Sequence, residues 1–148
     1  MRTRSAAILI HNNSLALIER HRAGMHYFTF PGGGMDEGES PEQAVVREVH
    51  EELGVEVRVQ RLVAKIWFRG NPQFFFLVEQ MSGEFGSGAG EEYSSERDPS
   101  RGSYKPIWMP FVEVPTKNVL PRSIAKLVIQ SHPKDWPWEP VTITEQER

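Results

Sequence analysis

Residues 33–55 read GGMDEGESPEQAVVREVHEELGV, and the fold class of the chain is decided in this stretch. Ser40 stands where a helix N-cap is wanted, Pro41 occupies the first helical position, and Gln43 follows three residues after the cap to complete a capping box. Gly54 supplies a left-handed stop. The spacing therefore predicts a helix over 40–53. At about 100° per residue, Glu48, Glu51 and Glu52 share one arc of it, and Val45, Val46, Val49 and Leu53 fall on the neighbouring arc. Like charges at these spacings cost an isolated helix about 0.2–0.5 kcal/mol per pair. A solvated acidic face is one reading. A cation held between the carboxylates is the other, and hard oxygen donors beside an apolar face favour Mg²⁺ or Mn²⁺ and, through it, phosphate.

Outward from the helix the elements alternate. Ala6–Ile10 and Leu15–Glu19 are short apolar runs separated by the turn formers His11 to Ser14, and read as a hairpin. Tyr27–Phe30 is a further strand ended by Pro31 and by Gly32, Gly33 and Gly34. Val55–Phe68 and Gln73–Val78 read as strands with Asn71-Pro72 as the turn between them. Met81–Tyr104, rich in glycine, serine and acid, reads as a long mobile loop. Ile107–Met109 and Phe111–Val114 read as extended pieces around Pro110, and Ser123–Gln130 as a helix with Ile124, Leu127 and Val128 inward. The expectation is one domain over 1–133, a mixed sheet with helices packed on it, and an irregular tail over 134–148.

Composition narrows the function classes. The chain has 148 residues, 39% of them hydrophobic, which suits a single core. Its net charge of −3 predicts no nucleic-acid backbone as main partner. With no cysteine, thiolate catalysis and thiolate zinc sites are excluded. The apolar run after Arg2 and Arg4 is too short for a signal peptide or a membrane span, so a cytoplasmic protein without membrane partner is expected.

Between Gly33 and Val55 the order is Gly33, five residues, Glu39, seven residues, Arg47-Glu48-Val49, one residue, Glu51-Glu52, one residue, Gly54-Val55. This matches GX5EX7REUXEEXGU with U apolar, seven fixed identities that each occur at roughly one position in fifteen by composition alone. On these residues the chain resembles the Nudix hydrolase superfamily, and SPEQAVVREVHEELG (Ser40 to Gly54) is similar to its MutT-like members.

The resemblance implies an α/β/α sandwich with a central mixed sheet, and a hydrolase that splits a phosphoanhydride bond by metal-assisted attack of water on phosphorus. Position by position, it implies Glu48, Glu51, Glu52 and the carbonyl of Gly32 as ligands of Mg²⁺, with Mn²⁺ as a substitute. It makes Arg47 an organiser of the acidic cluster, with Gly33 and Glu39 bracing the loop; a plain i,i+4 ion pair from Arg47 to Glu51 is compatible with that role. The general base stays open between Glu48 and a later acid, for which Glu91, Glu92 and Glu96 qualify. The implied substrate is a small nucleotide, a nucleoside triphosphate or an oxidised nucleotide, with ADP-ribose or a nucleotide sugar as the alternative and a non-catalytic nucleotide-binding module as the rival of another class. A monomer or a homodimer is expected.

Around this segment, Arg20, His21, Arg22 and His26 read chiefly as solvated charges, and Tyr27, Phe28, Phe74 and Phe76 chiefly as core. Asn118 reads equally as a base-edge contact or a turn cap.

Overall fold

The computed structural model describes residues 3–68, 70–87 and 102–145. The chain runs β1 (Arg4–His11), β2 (Ser14–Arg22), β3 (Met25–Thr29), β4 (Gly32–Gly34), α1 (Pro41–Leu53), β5 (Val55–Phe68), β6 (Asn71–Gly83), β7 (Ser103–Pro110), a short 3₁₀ helix (Phe111–Thr116), β8 (Val119–Leu120), α2 (Arg122–Ser131) and β9 (Val141–Glu145).

The β1–β2 hairpin turns through Asn12 and Asn13 at φ 52° and 58°, the left-handed pair that a two-residue hairpin turn requires and that asparagine tolerates. The strands form two wings joined at that hairpin. One is β4-β1-β6-β5-β9, in which β1–β6 and β5–β9 are parallel; the other is β7-β2-β3-β8, parallel at β3–β8. The sheet is therefore mixed.

Alternation along the central strands feeds two cores. Ala7 and Leu9 of β1, Ala16 and Ile18 of β2, and Phe76 and Val78 of β6 pack with Val45, Val49 and Leu53 of α1. Their neighbours Ile8, Leu15, Leu17 and Phe75 face the other way, onto Ile124, Ala125 and Val128 of α2. One helix thus covers each face. Full burial of Val45, Val49 and Leu53 contributes about 1.5–3 kcal/mol per side chain, which holds α1 on the sheet despite its acidic arc.

Local chemistry sets the ends of α1. Ser40 Oγ accepts from the Gln43 N–H at 3.1 Å, and Gln43 Oε1 accepts from the Ser40 N–H at 2.9 Å. Gly54 takes φ 81° and donates to the His50 carbonyl, a conformation that costs glycine little. Ser40→Ala is expected to lower stability by about 1 kcal/mol, read as a fall in Tm with the helix otherwise intact.

Four expectations change. Asn71 and Pro72 are not the turn but the first residues of β6, paired with Phe68 and Trp67; the reversal lies at Gly70, φ 83°. Both ends of the expected loop Met81–Tyr104 are strand, because β6 continues through Gly83 against Val55 and β7 begins at Ser103, while the reading of 88–101 lies outside the described residues. Ile107–Met109 belongs to one continuous strand paired with β2, and Phe111–Val114 is 3₁₀ helix rather than extended. The tail is not irregular throughout, since Val141–Glu145 adds β9 beside β5 and Trp136 packs on the α2-side core.

Candidate active site

The acidic helix meets the glycine run because β4 pairs with β1 in the register Arg4↔Gly34, Ser5↔Gly33 and Ala6↔Gly32, while α1 packs against β1, β4 and β5. Two contacts bring carboxylates onto that run. Glu52, only 6% exposed, accepts a hydrogen bond from the Gly32 N–H at 2.9 Å. Glu48 lies beside Gly33 so closely that a Cβ there would fall 2.5 Å from its carboxylate. The absence of a side chain at Gly33 is what lets the Glu48 carboxylate sit there.

Arg47 ties the loop to the helix. Its Nε and Nη2 donate to the two oxygens of Glu39 at 2.6 and 3.0 Å, a forked pair. Nη2 also reaches the Gly34 carbonyl at 3.0 Å, and Nη1 reaches Glu48 at 3.2 Å. Glu39 in turn accepts from the Asp36 N–H at 2.9 Å. The i,i+4 contact to Glu51 is present but longer, at 3.4 Å. The hydrogen bonds Arg47 donates to Glu39, and then the charges of Glu48, Glu39 and Asp36, outweigh partial burial and hold the guanidinium above its already high range. Arg47 is a fixed cation.

The structure thus brings together Gly32, Gly33, Glu39, Arg47, Glu48 and Glu52. Glu51 stands at the rim, its side chain 46% exposed. Glu91, Glu92 and Glu96 lie outside the described residues. The Glu48 and Glu52 carboxylates offer donors of oxygen alone, the chemistry of a hard divalent cation, and the side-chain-free floor at Gly33 leaves the Glu48 carboxylate against the backbone of the run.

A cavity of about 270 Å³ lies along β1, the strand that pairs with the glycine run, and is lined by none of the acidic side chains or Arg47. Arg4 and Ala6, on its wall, are the β1 partners of Gly34 and Gly32. Tyr27, Phe68 and Phe74 give it flat apolar surfaces, and Gln73 a polar one. Tyr27 and Phe74 therefore line a cavity, whereas Phe28 and Phe76 are core as expected. The sequence reading missed Arg4, Gln73 and Phe68; that they lie on strands converging on the glycine run was the available signal. Asn118 uses its carbonyl to accept from the Phe28 N–H. Arg20 is not solvated: it is 8% exposed, its guanidinium 3.6 Å from the Tyr104 ring centroid. Alternation could have indicated this, because Arg20 continues the inward row of Ala16 and Ile18.

Comparison with known proteins adds to the geometry. The family model of the NUDIX domain matches residues 1–127. An RNA pyrophosphohydrolase of Pseudoalteromonas translucida is 42% identical over 67 residues, 44% of this chain and 39% of the relative, so the chain matches about two fifths of that relative's length. Among solved structures, an ADP-ribose pyrophosphatase from Streptococcus suis superposes with a TM-score of 0.69 at 19% identity, covering 95% of this chain and 98% of that one. A structure described for MutT from Aliivibrio salmonicida and Vibrio cholerae gives 0.66 at 23% identity, covering 86% and 95%. At those identities the likeness is one of fold.

Proposed function

The chain belongs to the NUDIX domain family, and from that premise we propose that it hydrolyses a phosphoanhydride bond in a nucleotide-type diphosphate, at the face where α1 meets the glycine run. The observation that carries this reading is the meeting of Glu48 and Glu52 on Gly33 and Gly32, with Arg47 bracing both loop and helix.

Glu48, Glu52, Glu51 and the Gly32 carbonyl are the groups that would hold Mg²⁺, or Mn²⁺ in its place. When bound, such a cation polarises phosphoryl oxygens and lowers the pKa of an attacking water. The chain's own residues prepare the rest. Arg47 offsets part of the charge of the crowded carboxylates and keeps Glu48 in place. The Gly32 N–H fixes the rotamer of Glu52. As water attacks phosphorus and the anhydride oxygen leaves with the departing phosphate, the water's proton goes to Glu48 or to an acid among Glu91, Glu92 and Glu96. We assign the nucleoside to the neighbouring cavity, whose aromatic walls suit a base and whose Arg4 suits an anionic group.

The substrate we favour is a nucleoside triphosphate or an oxidised nucleotide, with ADP-ribose or a nucleotide sugar second. A further reading, pyrophosphate release from RNA, is favoured by the name of the curated relatives, while the net charge of −3 opposes a broad RNA-binding surface.

The test is chromatographic detection of the nucleoside monophosphate formed from each of these substrates, and of pyrophosphate from triphosphates and RNA 5′ ends, with Mg²⁺ and after chelation. Turnover is expected for at least one nucleotide, to vanish in EDTA and to return with added Mg²⁺. Tight nucleotide binding with no turnover of any substrate would replace the hydrolase with a nucleotide-sensing module. Undiminished turnover in chelator would remove the acidic cluster from the reaction.

A further inference from the structure

A set of metal-ligating side chains lies on the other wing of the sheet, apart from the acidic helix. The β2–β3 register puts His21 directly opposite His26, and Glu19 two residues before His21 on the same strand face. The two imidazoles stack with centroids 4.1 Å apart and planes 7° from parallel. Both ε-nitrogens converge on one oxygen: His26 Nε2 is 2.7 Å and His21 Nε2 3.6 Å from Glu19 Oε2. One ligand atom from each of the three residues lies within 4.8 Å of the others.

The donors stand at chelate spacing, and because the stacked rings lie in parallel planes, the two exposed imidazoles must tilt toward each other for both Nε2 lone pairs to meet one ion. Around Zn²⁺ with metal–ligand bonds of about 2.1 Å, tetrahedral donors stand about 3.4 Å apart, and the two observed separations fall on either side of that value. We propose that Glu19, His21 and His26 bind a divalent transition ion of the Zn²⁺ class, leaving a coordination position open to solvent. Two imidazoles and one carboxylate favour Zn²⁺, Ni²⁺ or Cu²⁺ over Mg²⁺, so the chemistry differs from that of the acidic helix.

The surroundings give the set a floor and one opposing charge. The Phe28 ring lies 5.0 Å from that of His26 and limits its swing. Lys105, the cross-strand partner of Glu19 on β7, is exposed and adds a positive charge next to the carboxylate. Arg20 and Arg22 belong to the opposite face of β2, and Arg20 is engaged with Tyr104. A bound ion would cross-link β2 and β3 at the strand whose other end leads into Gly32.

Zn²⁺ titration by calorimetry, in saturating Mg²⁺ to occupy the acidic helix, tests the assignment. Wild type is expected to bind one equivalent, and His21→Ala and His26→Ala each to weaken it at least tenfold, while Glu52→Gln leaves it unchanged. Both histidine side chains are half exposed or more, so these variants are expected to keep the wild-type melting curve. Substitution by Co²⁺ supplies an independent readout, because its visible absorption reports nitrogen ligands. The assignment fails if wild type binds no Zn²⁺, if the two histidine variants bind it as tightly as wild type, or if Glu52→Gln is the variant that loses it.

Discussion

Glu52→Gln is expected to lower kcat by about 10²- to 10³-fold, the range for removing one positioned electrostatic group from a reaction centre, while leaving the fold in place. Glutamine keeps the shape and retains an oxygen able to accept from the Gly32 N–H, so the 2.9 Å contact survives. What disappears is a negative charge that is 6% exposed and shares a helix arc with Glu48 and Glu51. Neutralising one member of a like-charged set relieves repulsion, so Tm is expected to stay level or rise as activity falls. Steady-state kinetics in Mg²⁺ beside a thermal melt measures both. A variant within threefold of wild-type kcat would exclude Glu52 from the reaction.

Gly33→Ala is the second large effect. An added Cβ would stand 2.5 Å from Cδ and Oε2 of Glu48 and 2.7 Å from Oε1, distances that real side chains do not sustain, so the carboxylate must swing away. Gly33 is not in the left-handed region, and the backbone itself accepts alanine. The damage therefore falls on Glu48: kcat is expected to drop about 10²-fold, with a stability loss of about 1–3 kcal/mol from overpacking. A double-mutant cycle isolates the cause. In a Glu48→Ala background the same substitution should cost almost nothing further. Equal losses in both backgrounds would mean that the glycine serves the β1–β4 pairing instead.

How much of this was legible in the sequence follows from how local each signal is. Every determinant of α1 lies within its own residues: Ser40, Pro41 and Gln43 at one end, Gly54 at the other, and the apolar row between. The acidic face could be read for the same reason. The Glu39–Arg47 fork was not foreseen: the family pattern gave the two residues separate roles, and their pairing joins a loop residue to a helix residue eight positions on, which no local rule connects. The failures are tertiary. Pro72 suggested a turn, yet it sits in the second pair of the hairpin, near the reversal, where a missing N–H is tolerated. Residues 111–114 are apolar enough for a strand, but they wind into a 3₁₀ turn where Phe111 donates its N–H to the Asn13 carbonyl. Arg20 looked solvated because an arginine usually is, and Tyr104, 84 positions further along, buries it.

β9 has a consequence for the order in which the molecule is made. It pairs with β5 in the register Ala64↔Val141 to Phe68↔Glu145, across more than half of the chain. Synthesis from the N-terminus delivers the glycine run, the acidic helix and both β5 and β6 well before residue 141 leaves the ribosome. Until then the Ala64–Phe68 segment of β5 carries unpaired N–H and C=O groups, an edge that invites another strand. The elements of the proposed site are thus made early, while the end of β5 beside them stays open to other strands until β9 arrives.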